Sequence, residues 1–190
     1  DLTKYKRVLV IGENAVRSLT QGGGSSELKT LRDTSPLEAL RKLHTTDYAQ
    51  GYESGRAIYE RQEKIDANKQ EQLREEALQK AKNADLIIFV GGLNKNYQQD
   101  CENSDRQSYD LPFGQNDLIA NIIKQKPSTC PIVIVTFGGN AYATPWLPQV
   151  DALLHCWYLG SESGTSLANI LTGKVNPSGK LPVTFAKRLE

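Results

Sequence analysis

Residues Asp85–Gly92 have the sequence DLIIFVGG, in which five consecutive apolar side chains are followed by two glycines. A short run that is apolar at every position indicates a strand buried on both faces. The pattern occurs three more times, each with a glycine close behind, at Lys6–Ile11 (KRVLVI), Pro131–Phe137 (PIVIVTF) and Ala152–Tyr158 (ALLHCWY). Four such segments predict one central sheet.

Helical patterns lie between these strands and after the last one. Ser35 precedes Pro36 and the sequence LEALRKL, which is the order of an N-cap, a first-turn proline and a helix. Helical spacing of apolar residues predicts three further helices, over Asn68–Ala84, Gln115–Lys126 and Thr165–Leu171. Strands that alternate with helices in this way predict an α/β fold, with a mostly parallel sheet and helices on both faces.

The composition excludes several classes of partner. The 190 residues fit one domain, and a net charge of +1 with 24% charged residues favours no polyanion, so we predict no nucleic acid partner. No apolar run approaches the roughly 18 residues that a membrane span needs, so no membrane partner is predicted. Three cysteines are too few for a disulfide scaffold, and Cys130 and Cys156 border apolar runs, which predicts buried thiols.

The spacing of glycine, histidine and cysteine also disfavours cofactors. The sequence GGGSS at residues 22–26 follows the first strand, but neither a G-x-G-x-x-G fingerprint nor a P-loop is present. From the residues alone this loop is a surface loop, a phosphate loop or a wall of a sugar site. His44 and His155 form no metal spacing, and Cys-x-x-Cys is absent, so no metal and no cofactor are predicted.

A long loop, Asn94–Gln115, follows the strand at residues 85–90. Loops of about 20 residues in compact domains are usually functional or disordered. This one carries four carboxylates, Asp100, Glu102, Asp105 and Asp110. Clustered carboxylates raise the pKa of one member, which suits a general acid, although an acidic surface loop explains the same residues. In open parallel sheets ligands bind beyond the carboxyl ends of the strands, where this loop begins.

Three stretches make the sequence recognisable: ENSDRQSYDLPFGQ at 102–115, HCWYLGSESG at 155–164 and NPSGKLPVTF at 176–185. They resemble the C-terminal domain of glycoside hydrolase family 3. The resemblance implies that residues 1–190 are a single six-stranded α/β sandwich, the second domain of a retaining exo-hydrolase that removes terminal β-linked sugars from glycosides or short saccharides. An N-terminal barrel domain, absent from this chain, would be its partner and supply an Asp nucleophile. A periplasmic or secreted location is expected from the family.

The resemblance also implies roles for individual residues. Glu102 falls on the glutamate of the family's E-G-x-D-R segment, often the acid/base, and Asp100 is the alternative. Asp105 and Arg106 fall on the D-R pair, which can brace the loop by a charge-assisted hydrogen bond. Asn103 replaces the family's glycine, and asparagine tolerates the positive φ of such a turn. The residues that would border the leaving-group subsite are Gly24, Ser25 and Ser26, without the aromatic residue that some relatives have.

Other matched residues are predicted to be structural. Leu181, Val183 and Phe185 alternate as a final strand would. Trp146 and Trp157 are predicted to pack in the core or between domains. The rival function is a non-catalytic module that buttresses a barrel or binds carbohydrate, and in either case the isolated domain is expected to be inactive.

Overall fold

A parallel sheet of five strands lies at the centre of the computed structural model, which describes residues 1–189. The strands of the chain are β1 (Val8–Ile11), β2 (Thr46–Ala49), β3 (Ala57–Ile58), β4 (Arg61–Gln62), β5 (Leu86–Gly92), β6 (Ile132–Phe137) and β7 (Ala152–His155). The sheet has the order β2-β1-β5-β6-β7, and every neighbouring pair is parallel. Strands β3 and β4 form a separate antiparallel hairpin.

Helices cover both faces of this sheet. They are α1 (Pro36–Arg41), α2 (Ala67–Ala81), α3 (Gln115–Gln125) and α4 (Ser163–Leu171). Side chains of α2 and α3 share one apolar cluster with Ile87 and Phe89, and side chains of α1 and α4 share another with Ile88 and Val90. Successive β5 residues therefore point to opposite cores, which is why the run is apolar throughout. The predicted α/β fold with helices on both faces is confirmed, although the sheet has five strands within the described residues where six were expected.

Two α-helix starts are capped by side chains, and the cap at Ser35 confirms the sequence prediction. The Ser35 hydroxyl accepts a hydrogen bond from the backbone N–H of Glu38 at 3.3 Å, and Pro36 occupies the first turn of α1. Asp66 caps α2 by accepting from the N–H groups of Asn68 and Lys69 at 2.8 and 3.2 Å. These side-chain oxygens satisfy N–H groups that have no partner within the helix.

Three strands were not predicted, and one predicted strand does not form. Strand β2 has the sequence TDYA, and β3 and β4 have two residues each, so none of them contains an apolar run. The predicted final strand at Leu181–Phe185 does not form. Pro182 in its middle has no N–H to donate to a neighbouring strand. The segment instead lies on the surface, where the Phe185 ring packs 5.2 Å from the ring centroids of both Tyr142 and His155.

The remaining structural predictions concern cysteine and tryptophan. Cys130 and Cys156 are buried, as predicted, and Cys130, Cys156 and Cys101 are all free thiols. Trp146 is 1% exposed in the core, whereas the half-buried Trp157 ring lies 4.4 Å from the His155 ring at an angle of 79°. No helix in the described part of the chain has the length and hydropathy needed to cross a membrane.

His155 lies in a small polar cluster at the end of β7. Its Nδ1 is 3.1 Å from the Thr136 hydroxyl and 3.0 Å from the Tyr142 hydroxyl, and its buried Nε2 has no hydrogen-bond partner among residues 1–189. Burial lowers the pKa of His155 from 6.5 to about 4. The folded chain therefore keeps this imidazole neutral at neutral pH.

We expect this burial to make stability depend on pH. Between about pH 6.5 and pH 4 the unfolded chain binds a proton at His155 that the folded chain does not, so stability is lost as pH falls through that window. When thermal unfolding is measured between pH 8 and pH 4, the melting temperature of His155→Gln should fall by less than that of the unsubstituted chain. His44→Gln, at the other of the two histidines, is the control and should follow the unsubstituted chain. If the melting temperatures of all three proteins fall equally with pH, burial of His155 is not the cause of the pH dependence.

Candidate active site at the carboxyl edge of the sheet

The order of the sheet reverses between β1 and β5. Counting only its five strands, the order is 2-1-3-4-5, and the chain turns to one side after β1 and to the other from β5 onward. Ligands of doubly wound sheets bind at such a switch point, beyond the carboxyl ends of the two strands. The glycine-rich loop at residues 22–26 lies downstream of β1, and the long loop follows β5. The topology thus brings the two predicted loops to one place.

Hydrogen bonds join these two loops. The Ser25 N–H donates to Glu102 Oε2 at 2.5 Å, and the Ser25 hydroxyl donates to Oε1 at 2.7 Å. The Gly23 N–H donates to the Asp100 carbonyl at 2.8 Å. Gly24, with a φ of 90°, passes so close to Glu102 that an added Cβ would lie 2.7 Å from Glu102 Cβ. Ser26 turns back within its loop, with its hydroxyl 3.5 Å from the carbonyls of Gly22 and Gly23.

Glu102 is exposed, and its carboxylate accepts both hydrogen bonds from Ser25. The two hydrogen bonds from Ser25 stabilise the carboxylate and lower the pKa of Glu102. The raised pKa that the sequence predicts for one member of the carboxylate cluster is therefore not found at Glu102.

The side chain of Asp100 is held by three donors. Its Oδ2 accepts from the Gly139 N–H at 2.6 Å and from the Tyr158 hydroxyl at 2.8 Å. Its Oδ1 accepts from Asn140 Nδ2 at 3.2 Å. Both oxygens therefore have partners in the segments that follow β6 and β7.

Asp105 and Arg106 do not form the predicted pair. No ion pair joins them among residues 1–189, and the side chain of Asp105 is exposed. Arg106 instead donates from its Nη2 to the Ala141 carbonyl at 2.6 Å, while its buried Nη1 has no hydrogen-bond partner in the described part of the chain. Arg106 braces the long loop against the segment after β6 through a backbone carbonyl.

A cavity of about 420 Å³ lies beside Glu102, between Gly24 and the β3–β4 hairpin. Tyr59 at the hairpin tip is 70% exposed, lines this cavity and accepts a hydrogen bond from Asn103 Nδ2 at 3.0 Å. Asn103 has a φ of 62°, the conformation expected where relatives have glycine. The glycine-rich loop itself has no aromatic residue, as stated from the sequence, but Tyr59 of the hairpin borders the same cavity. Tyr59 lies far from the recognisable stretches, and the hairpin turn has no Asn-Gly signal.

A second cavity of about 530 Å³ lies on the other side of Glu102 and is bordered by Asp100, Asp105 and Arg106. Glu102 therefore lies between two open cavities and borders both. Within the described residues, no group of three or more His, Cys, Asp or Glu side chains is arranged to hold a metal ion.

The model of the glycosyl hydrolase family 3 C-terminal domain matches residues 2–190. The chain belongs to glycoside hydrolase family 3. The resemblance stated from three stretches of sequence is thereby confirmed, and it extends over nearly the whole chain.

Relatives within family 3 agree with this assignment. The β-glucosidase BoGH3A of Bacteroides ovatus is 48% identical over 189 residues, which cover 98% of this chain and 25% of that protein. The family 3 β-glucosidase structure from Bifidobacterium adolescentis is 30% identical with a TM-score of 0.74, covering 92% of this chain and 24% of that one. The Kluyveromyces marxianus β-glucosidase structure, 19% identical, has a TM-score of 0.83 over 96% of this chain and 37% of that one, and supports the fold. The chain thus spans about a quarter of its Bacteroides relative.

Proposed function

We propose that this domain supplies the general acid/base, Glu102, to a retaining exo-acting β-glycosidase. The observation that carries the proposal is the position of Glu102 at the switch point of the sheet, exposed between two cavities and fixed by Ser25 at both carboxylate oxygens. An acid/base needs an oriented carboxyl group that a substrate can reach. Glu102 meets both conditions.

The nucleophile would come from the barrel domain of the full-length protein. In the first step its carboxylate attacks the anomeric carbon while protonated Glu102 gives its proton to the departing oxygen. In the second step Glu102 takes a proton from the water that attacks the glycosyl-enzyme, so the sugar leaves with its original configuration. A retaining mechanism requires about 5 to 5.5 Å between the two carboxyl groups.

The protonation state of Glu102 would change between the two steps, because its electrostatic surroundings change. Within this domain the donors of Ser25 favour the ionised form. A barrel carboxylate about 5 Å away would oppose that effect, because like charges raise the pKa of one partner. When the nucleophile becomes glycosylated its charge disappears, and Ser25 again favours the ionised base. Acid and base forms would then arise in the order that the two steps require.

The same geometry favours Glu102 over Asp100. All three side-chain contacts of Asp100 are with donors of the domain itself, which leaves it poorly placed to give a proton to a substrate. The preferred substrate is a terminal β-linked glucose, since the Bacteroides ovatus relative at 48% identity is named a β-glucosidase. A non-catalytic module that supports a barrel is the alternative.

We expect activity only when both domains are present. The purified 190-residue chain should give no saturable hydrolysis of an aryl β-glucoside, because general acid catalysis alone contributes only about 10²- to 10⁴-fold. The full-length protein should hydrolyse it, and proton NMR of the first product should show the β-anomer. Turnover by the chain alone, or an α-anomer as first product, would contradict the proposal. An inactive full-length protein would favour the supporting module.

A further inference from the structure

We propose that Asp100 is a positioning residue that acts through Glu102, by tying the turn that carries Glu102 to the ends of β6 and β7. This inference rests on the proposed function. It gives Asp100 a role different from that of an alternative acid/base.

Asp100 is a junction of four segments. Its carbonyl accepts from Gly23 of the glycine-rich loop at 2.8 Å, and its N–H donates to the Asn94 carbonyl at 2.9 Å. Its side chain accepts from Gly139 after β6 and from Tyr158 after β7. Hydrogen bonds thus hold Asp100 to the segments that follow four neighbouring strands of the sheet, β1, β5, β6 and β7.

The partners of the Asp100 side chain demand a carboxylate. Gly139 N–H, Asn140 Nδ2 and Tyr158 OH all act as donors here, and an ionised carboxylate accepts on both oxygens without donating. Burial and the neighbouring Asp100 charge raise the pKa of Tyr158, so this hydroxyl keeps its proton. An amide at position 100 would turn an N–H₂ group toward at least one donor.

A short turn, closed by hydrogen bonds at its base, connects Asp100 to Glu102. A β-bridge joins Cys101 to Ser104, and the Gln98 N–H donates to the Ser104 hydroxyl at 2.9 Å. Glu102 and Asn103 form the tip of this turn, and Asn103 has a φ of 62°. A turn closed at its base moves as a unit, so a shift at Asp100 displaces the Glu102 carboxyl. A misplacement of about 1 Å can cost about 10²-fold in rate.

The test uses the full-length protein and pre-steady-state glycosylation rates. Asp100→Asn should slow glycosylation by an alkyl glucoside about 10²-fold and by a dinitrophenyl glucoside much less, because Glu102 protonates only the poor leaving group. Tyr158→Phe, which removes a single hydrogen bond and keeps the packing, should show the same selectivity with a smaller loss. Asp110→Asn, a matched change on the exposed end of the same loop, should leave both rates unchanged.

A double substitution separates positioning from the alternatives. If Asp100 acts through Glu102, Asp100→Asn should cost nothing further in a Glu102→Ala background. Additive losses, equal for both leaving groups, would overturn the proposal in favour of general destabilisation. Rescue of Asp100→Asn by azide would also overturn it, since Asp100 would then be the acid/base. Failure of the proposed function looks different, because Glu102→Ala itself would leave leaving-group selectivity unchanged.

Discussion

Glu102→Ala in the full-length protein is expected to slow hydrolysis of an alkyl β-glucoside by about 10²- to 10⁴-fold, the usual contribution of a positioned general acid. A dinitrophenyl glucoside should be glycosylated at nearly the unsubstituted rate, because its phenolate departs without a proton. Its overall turnover should still fall, since water in the second step lacks a base. Burst kinetics separate the two steps.

Azide provides the decisive control for Glu102. It needs no deprotonation, so it should attack the anomeric carbon of the glycosyl-enzyme, release the nucleophile and give a glycosyl azide of retained configuration. Asp110→Ala, which removes an exposed carboxylate from the same loop, should change neither the leaving-group dependence nor the azide response. Equal losses for good and poor leaving groups, with no azide product, would remove Glu102 from the mechanism.

Gly24→Ala should produce the second large effect. An added Cβ would lie 2.7 Å from Glu102 Cβ and 2.7 Å from Oε2, so the Glu102 side chain must move away from Ser25. We expect the glycosylation rate with an alkyl glucoside to fall by about 10²-fold, the cost of displacing a catalytic group by about 1 Å.

A control for Gly24→Ala must share its backbone strain. Gly24 has a φ of 90°, and Gly160 has a φ of 75° with open space where its Cβ would be. Gly160→Ala should therefore shift the melting temperature in the same direction but keep the glycosylation rate. If both variants lose equal activity, backbone strain rather than contact with Glu102 explains the loss.

The fold could be predicted from the sequence because its strongest signals are local. Every residue of LIIFV at 86–90 is apolar, and this pattern indicates a strand that is covered on both faces. Ser35 followed by Pro36 indicates a helix start, because the two residues suit the N-cap and the first turn. Strand β2 gave no comparable signal, since tertiary pairing with β1 rather than its own composition makes it a strand.

The site could be predicted only in part, because its contacts join residues that lie far apart in the sequence. Family motifs indicated Glu102 and the glycine-rich loop, and the sheet order explains why the two meet. Charge states and partners could not be predicted, because they depend on side-chain directions. Asp105 and Arg106 are adjacent in the sequence, yet Arg106 bonds to the Ala141 carbonyl. Tyr59 comes from a hairpin more than forty residues before Glu102, beyond the reach of any local pattern.

The hairpin that carries Tyr59 is not part of the central sheet and has its own two-stranded pairing. Substitutions at exposed positions usually change the free energy of unfolding by no more than about 0.5 kcal/mol. The residue at this tip can therefore change in evolution with little effect on folding. The Glu102 turn, in contrast, is held by hydrogen bonds to the glycine-rich loop and, through Asp100, to the segments after β6 and β7. Among descendants of a common ancestor, we expect the hairpin tip to diverge early and the junction at Asp100 to diverge late.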